Sequence, residues 1–83
     1  MYVKFTSDAV KQYLKLPQRE QQKIKKWLAL LGNDPLAGKC LKGELTGYRS
    51  VKAWPYRVIY FIKQTEKTVW VTSIEHRQSA YKR

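Results

Sequence analysis

Apolar residues in this chain recur every three or four positions at first and every second position later, and that change of period divides it. Tyr2-Val3-Lys4-Phe5 is rich in strand formers and alternates weakly, which predicts a short first strand ended by Thr6-Ser7-Asp8. Each of those three can accept a backbone N–H at a helix N-cap, and Val10, Tyr13 and Leu14 behind them outline a short amphipathic helix. Pro17 suits the first turn of a second helix, where its missing N–H has no intrahelical partner to lose. Across residues 18–31, Ile24, Trp27, Leu28 and Leu31 fall at i, i+3, i+4 and i+7 and make one apolar face, with Arg19, Lys23, Lys25 and Lys26 outside it. Gly32-Asn33-Asp34-Pro35 ends that helix.

The period then shortens. Residues 36–47 hold three of the four glycines and show no period, so they read as a connecting loop. Three strand-like runs follow, at 48–53, 56–62 and 68–74, separated by a Trp54-Pro55 corner and by residues 63–67. An antiparallel meander is the economical topology. The expected architecture is a single α+β domain over residues 1–83: a four-stranded antiparallel sheet with two N-terminal helices on one face, in the order β-α-α-β-β-β, and a short C-terminal element over residues 76–83. In the run at 56–62, Arg57, Ile59 and Phe61 share one face and Tyr56, Val58, Tyr60 and Ile62 the other. Both faces are largely apolar, so alternation leaves open which one the helices cover.

Charge adds a partner to this picture. Seventeen Lys and Arg against six Asp and Glu give +11 on 83 residues, which calls for a polyanion: nucleic acid or an acidic protein segment. The excess leans toward residues 39–83, with ten basic and three acidic groups against seven and three in residues 1–38. Cys40 is the only cysteine, which excludes an intramolecular disulfide, and no stretch has the apolar length of a signal peptide or a membrane span. A cytoplasmic protein without membrane contact is expected.

Within residues 47–62, Arg49, Lys52 and Arg57 are interleaved with Tyr48, Trp54, Tyr56 and Tyr60, a mixture of cations and π-faces suited to phosphates and bases. Tyr48 and Trp54 are the candidate stacking surfaces for RNA. A solvated hairpin face is the plain alternative. If the strands on either side of Trp54-Pro55 pair through the turn 53–56, Lys52 opposes Arg57. Directly opposed like charges cost a few tenths of a kcal/mol, an arrangement easiest to understand when an anion lies between them. The same alternation sends Arg49 to the other face unless a β-bulge rotates it back. The Trp54-Pro55 bond is one at which a cis peptide is admissible.

Beyond the fourth strand stand His76, the only histidine and a candidate for proton transfer near neutral pH, Arg77, suited to phosphate charge, and Tyr81, suited to stacking or proton donation. No HExxH, CxxC, GxGxxG or GxxxxGK[ST] is present and no carboxylate pair lies near the basic cluster, so no metal or cofactor is expected. Metal-free cleavage of RNA fits what remains. There the substrate's own 2′-OH is the nucleophile, and the protein need only position it, move protons and stabilise the charged transition state.

Two segments, LKGELTGYRSVKAWPYRVIY and IEHRQSAYKR, resemble the RelE/ParE toxin superfamily, and in particular its RelE branch, in their order, their spacing and their position behind two helices. The resemblance spans nearly the whole chain. It implies the toxin of a type II toxin–antitoxin pair, an endoribonuclease that cuts mRNA in the ribosomal A site of the 30S subunit by 2′-OH attack. A cognate antitoxin would bind it in a hetero-oligomer. By matching position, Arg49, Lys52, Arg57, Arg77 and Tyr81 are the implied site residues, with Lys52 moving protons or binding phosphate and Arg57 and Arg77 holding transition-state charge. Tyr81 stacks or transfers a proton, and His76 shares the acid–base work. Other readings are a ParE-like inhibitor that binds DNA gyrase, which the terminal HRQSAY argues against, and a catalytically silent RNA- or antitoxin-binding module.

Overall fold

The computed structural model describes residues 1–80, the last two of them by backbone only. Five strands and three α-helices follow in the order β1 (Tyr2–Phe5), α1 (Ser7–Leu14), α2 (Gln18–Asn33), β2 (Lys39–Cys40), β3 (Arg49–Ala53), β4 (Tyr56–Lys63), β5 (Thr68–His76) and α3 (Arg77–Ala80). The strands form one sheet in the order β1-β5-β4-β3-β2.

This departs from the expected four-stranded antiparallel sheet in two ways. Residues 36–47 are not all loop, because Lys39 and Cys40 pair antiparallel with Ser50 and Arg49 and add a fifth, edge strand. Two residues are too few for alternation to register as a period. Strand β1 also runs parallel to β5, from Tyr2 opposite Thr68 to Phe5 opposite Val71. The helical crossover between β1 and the later strands permits that direction, whereas the hairpins joining β3, β4 and β5 enforce antiparallel pairing.

Helix α1 starts where the Thr6 hydroxyl accepts the Ala9 N–H at 3.3 Å. The same hydroxyl donates to the Thr72 carbonyl, tying the cap to β5. Helix α2 follows Pro17, and its Ile24, Leu28 and Leu31 pack with Ala9 of α1 onto Val51, Ala53, Val58, Tyr60, Val69, Val71 and Ile74. The helices therefore cover the face that carries Val58 and Tyr60. Opposite it lie Ser50, Lys52, Arg57, Ile59, Phe61, Trp70, Ser73 and Glu75.

One irregularity sets that pattern. Ile59 pairs with Ser73 but Tyr60 pairs with Val71, so Thr72 is an extra residue on β5. A bulge of this kind shifts the alternation by one position, which lets both Val71 and Ile74 reach the core. The Thr72 hydroxyl donates to the Ile59 carbonyl at 3.2 Å, and the Ile74 N–H finds the Gln12 side chain at 2.7 Å. No helix among the described residues is long and apolar enough to cross a membrane.

Candidate nucleic-acid interface

The tight Trp54-Pro55 turn, whose peptide bond is cis, brings β3 and β4 together with Lys52 directly opposite Arg57. In β5 the register partner of Arg57 is Glu75. Lys52, Arg57 and Glu75 thus form one row across three strands, on the face away from α1 and α2. Adjacent strands stand ~4.8 Å apart, so the row spans ~10 Å at its backbone. Lys52 is exposed, Arg57 half-buried and Glu75 buried.

The next row inward has a single charge, at its β2 end: Lys39 of β2 pairs with Ser50, Ser50 with Ile59, and Ile59 with Ser73. Lys39 therefore shares the face of Lys52 at the diagonal position of the neighbouring strand, ~7–8 Å away by Cα. With Lys42, Ser50, Cys40 and Arg57, these two lysines line an open groove of about 530 Å³ whose remaining wall is apolar, formed by Trp27 of α2, Ala37, Leu41 and Val51. Four of its side chains are cations, so a chain of phosphates is the ligand its field favours.

Other expected contacts fall elsewhere. Arg49 could join this face only through a bulge in β3, and β3 pairs with β4 in uninterrupted register from Arg49 to Ala53. Arg49 therefore shares the side of Val51, and its guanidinium donates to the Gly38 carbonyl at 2.7 Å. It pins the loop ahead of β2. The bulge lies in β5 instead, a strand from which it cannot rotate Arg49. Tyr48, just before β3, meets Phe61 edge to face at 5.6 Å, four residues from Lys52 along an extended backbone and so ~13 Å away.

His76 pairs with Tyr56 and packs against its ring at 5.3 Å, on the side opposite Arg57. Its Nδ1 accepts the Gln78 N–H at 3.2 Å, which leaves Nε2 as the nitrogen free to face a ligand. Arg77 turns back onto the hairpin: its N–H donates to the Pro55 carbonyl at 2.8 Å and its guanidinium lies over Trp54, 5.1 Å from the ring centre. Tyr81 lies outside the described residues.

Three members of the groove and row were not anticipated: Lys39, Lys42 and Glu75. Lys39 and Lys42 sit in the segment read as loop. Glu75 comes opposite Arg57 only through the extra residue Thr72 in β5, since the register set at Lys63 and Thr68 would otherwise put Ile74 there. Among the described residues no three His, Cys, Asp or Glu side chains converge as a metal ion would require.

A family model described as the ParE toxin of type II toxin–antitoxin system, parDE, matches residues 3–81. The chain is 34% identical to Toxin RelG of Mycobacterium tuberculosis over 83 residues, covering 98% of this chain and 95% of that protein. Its fold superposes on the toxin–antitoxin complex RelBE2 from Mycobacterium tuberculosis with a TM-score of 0.83 at 32% identity, covering 90% of this chain and 88% of that one. The YoeB/ParE toxin from Agrobacterium tumefaciens matches with a TM-score of 0.81 at 21% identity, over 92% of this chain and 98% of that one, and shares the fold.

Proposed function

This chain belongs to the RelE/ParE family of type II toxin–antitoxin toxins, and on that premise we propose that it is a metal-independent endoribonuclease cutting mRNA in the ribosomal A site. The observation that carries the reading is the Lys52–Arg57–Glu75 row on the face away from α1 and α2, beside a groove lined by four cations. In the reaction the 2′-oxygen of one nucleotide attacks the adjacent phosphorus as its proton leaves. The bond to the 5′-oxygen of the next nucleotide breaks as that oxygen gains a proton. The products are a 2′,3′-cyclic phosphate and a 5′-hydroxyl.

Arg57 and Arg77 are assigned to the charge that builds on the phosphate oxygens, for which the planar guanidinium offers paired donors. Lys52 binds the phosphate or moves a proton. His76 through Nε2 and Tyr81 through its phenol are the further proton-transfer groups, and Tyr81 alternatively stacks a base. Glu75, in register with Arg57, is assigned to fixing the guanidinium's orientation. A cognate antitoxin is the expected partner, since the solved RelBE relatives are toxin–antitoxin complexes; an acidic segment meeting this +11 surface would silence it.

The deciding experiment incubates the purified chain with translating ribosomes and maps mRNA ends at codon resolution, beside Arg57→Ala and Arg77→Ala. Cuts within A-site codons that carry 5′-hydroxyl ends and fall steeply, to a measurable residual rate, in both variants are the expected result. The family model's parDE description favours a second reading, gyrase inhibition by binding. Intact mRNA together with loss of DNA supercoiling activity would establish that one in place of the nuclease.

A further inference from the structure

Trp54 is a large aromatic at the tip of the β3–β4 turn with 58% of its surface exposed, a position where a nucleobase could stack. One of its ring faces is nevertheless engaged, because the Arg77 guanidinium lies over it at 5.1 Å. The turn beneath is fastened on two sides. Lys23 of α2 donates to the Trp54 carbonyl at 2.7 Å while held by the Glu20 carboxylate at 3.2 Å, and the Arg77 N–H bonds the Pro55 carbonyl at 2.8 Å.

A fastened turn carries a fastened ring. Arg77 has a long side chain at the start of a four-residue helix, which leaves the outer torsions of the side chain to be selected by a contact. A π-face presented from a turn that is itself bonded to α2 and to the Arg77 backbone supplies that selection. We propose that Trp54 is a positioning residue. It holds the Arg77 guanidinium over the turn that joins the strands of Lys52 and Arg57, with Lys23 of α2 holding the turn. The proposal rests on the nuclease reading for its effect on rate and stands on geometry for the contact itself.

Both parts are tested on the full-length protein. By NMR, the Arg77 side-chain Nε–H and Cδ–H protons are expected to be shifted upfield by the Trp54 ring current, and to return to ordinary positions in Trp54→Leu but not in Trp54→Phe. On ribosome-bound mRNA, Trp54→Leu is expected to lower kcat roughly 10- to 100-fold with KM changed less than about 2-fold, and Trp54→Phe to recover most of the rate. In an Arg77→Ala background Trp54→Leu should have no further effect, because the group it positions is gone. Lys23→Met should give a weaker version of the same kcat loss.

Absence of the upfield shift in the unmodified protein overturns the proposal. So does a Trp54→Leu effect that falls on KM alone or multiplies with that of Arg77→Ala, since either makes Trp54 a direct RNA contact. An upfield shift that Trp54→Leu abolishes, in a chain that leaves ribosomal mRNA intact, upholds the clamp and sinks the nuclease reading. An active nuclease without the shift does the reverse.

Discussion

The Tyr60 hydroxyl and the backbone of Gly38 are locked together: the phenol oxygen accepts the Gly38 N–H at 2.9 Å and donates to the Pro35 carbonyl at 2.7 Å. Tyr60 is fully buried in the core, so this one side chain bolts the loop ahead of β2 to the centre of the sheet. Lys39, at the mouth of the cationic groove, is the next residue along.

Gly38→Ala tests that bolt. A Cβ there would stand 2.8 Å from Tyr60 Cε1 and 2.9 Å from the Ser50 carbonyl, and neither a buried ring nor a strand carbonyl can retreat cheaply. We expect a loss of about 1–3 kcal/mol in urea denaturation. Fraying of β2 should accompany it, read as faster hydrogen exchange at the Leu41 amide, which bonds the Tyr48 carbonyl.

Tyr60→Phe should act through pH as well as through lost hydrogen bonds. Burial pushes the Tyr60 phenol above its ordinary value of 10.0, with the Gly38 N–H and the Arg49 charge pulling back more weakly. A group whose folded value is raised contributes stability that is complete below the unfolded value and disappears as pH climbs through the folded one. Denaturation measured from about pH 8 to 11 should therefore show a steeper alkaline loss in the unmodified protein than in Tyr60→Phe. Near pH 7 the variant is less stable by about 1–3 kcal/mol, because two buried partners lose their bonds. Equal slopes in the two proteins would refute this account.

Lys52→Gln separates stability from activity. Removing one of two directly opposed cations should raise stability by a few tenths of a kcal/mol. RNA binding should weaken, and the slope of log K against log salt should fall by about 0.7, the loss of one phosphate contact on a single strand. Titrating a short single-stranded RNA at several salt concentrations measures the slope.

Lys67→Gly is expected to stabilise. Lys67 has φ of 51°, a left-handed conformation at the turn before β5 that costs an L-residue about 1–2 kcal/mol, partly offset by the greater freedom of an unfolded glycine. A net gain of about 0.5–1 kcal/mol in thermal unfolding is the expected outcome.

Legibility in the sequence followed the range of the forces involved. Helices α1 and α2 were readable because Thr6, Pro17 and the Ile24–Leu31 spacing are local signals, and the Lys52–Arg57 pair followed from a turn only two residues away. Features set by partners distant in the chain were not readable. Strand β2 exists because Tyr60 and Arg49 hold its loop, not because Lys39 and Cys40 favour a strand. The Thr72 bulge reflects packing of Val71 and Ile74 onto helices encoded much earlier in the chain, at Ser7–Leu14 and Gln18–Asn33, and Glu75 enters the cation row through it. Likewise, the stacking of Arg77 on Trp54 joins two residues whose individual chemistry was plain while their juxtaposition was not.

The parallel pairing of β1 with β5 also governs when this protein can exist. Tyr2 meets Thr68, and β5 lies between β1 and β4, so the strand translated last is the one that joins the first to the remainder. While a ribosome is still making the chain, β3 and β4 can close as a hairpin, but β1 has no neighbour and the core no middle. Contacts that span 66 residues carry a larger loop-closure cost than the local β3–β4 hairpin and form after it. A nascent chain therefore has neither the Arg57–Glu75 register nor a closed core until β5 has emerged, and a partner present at that moment meets the fold as it first forms.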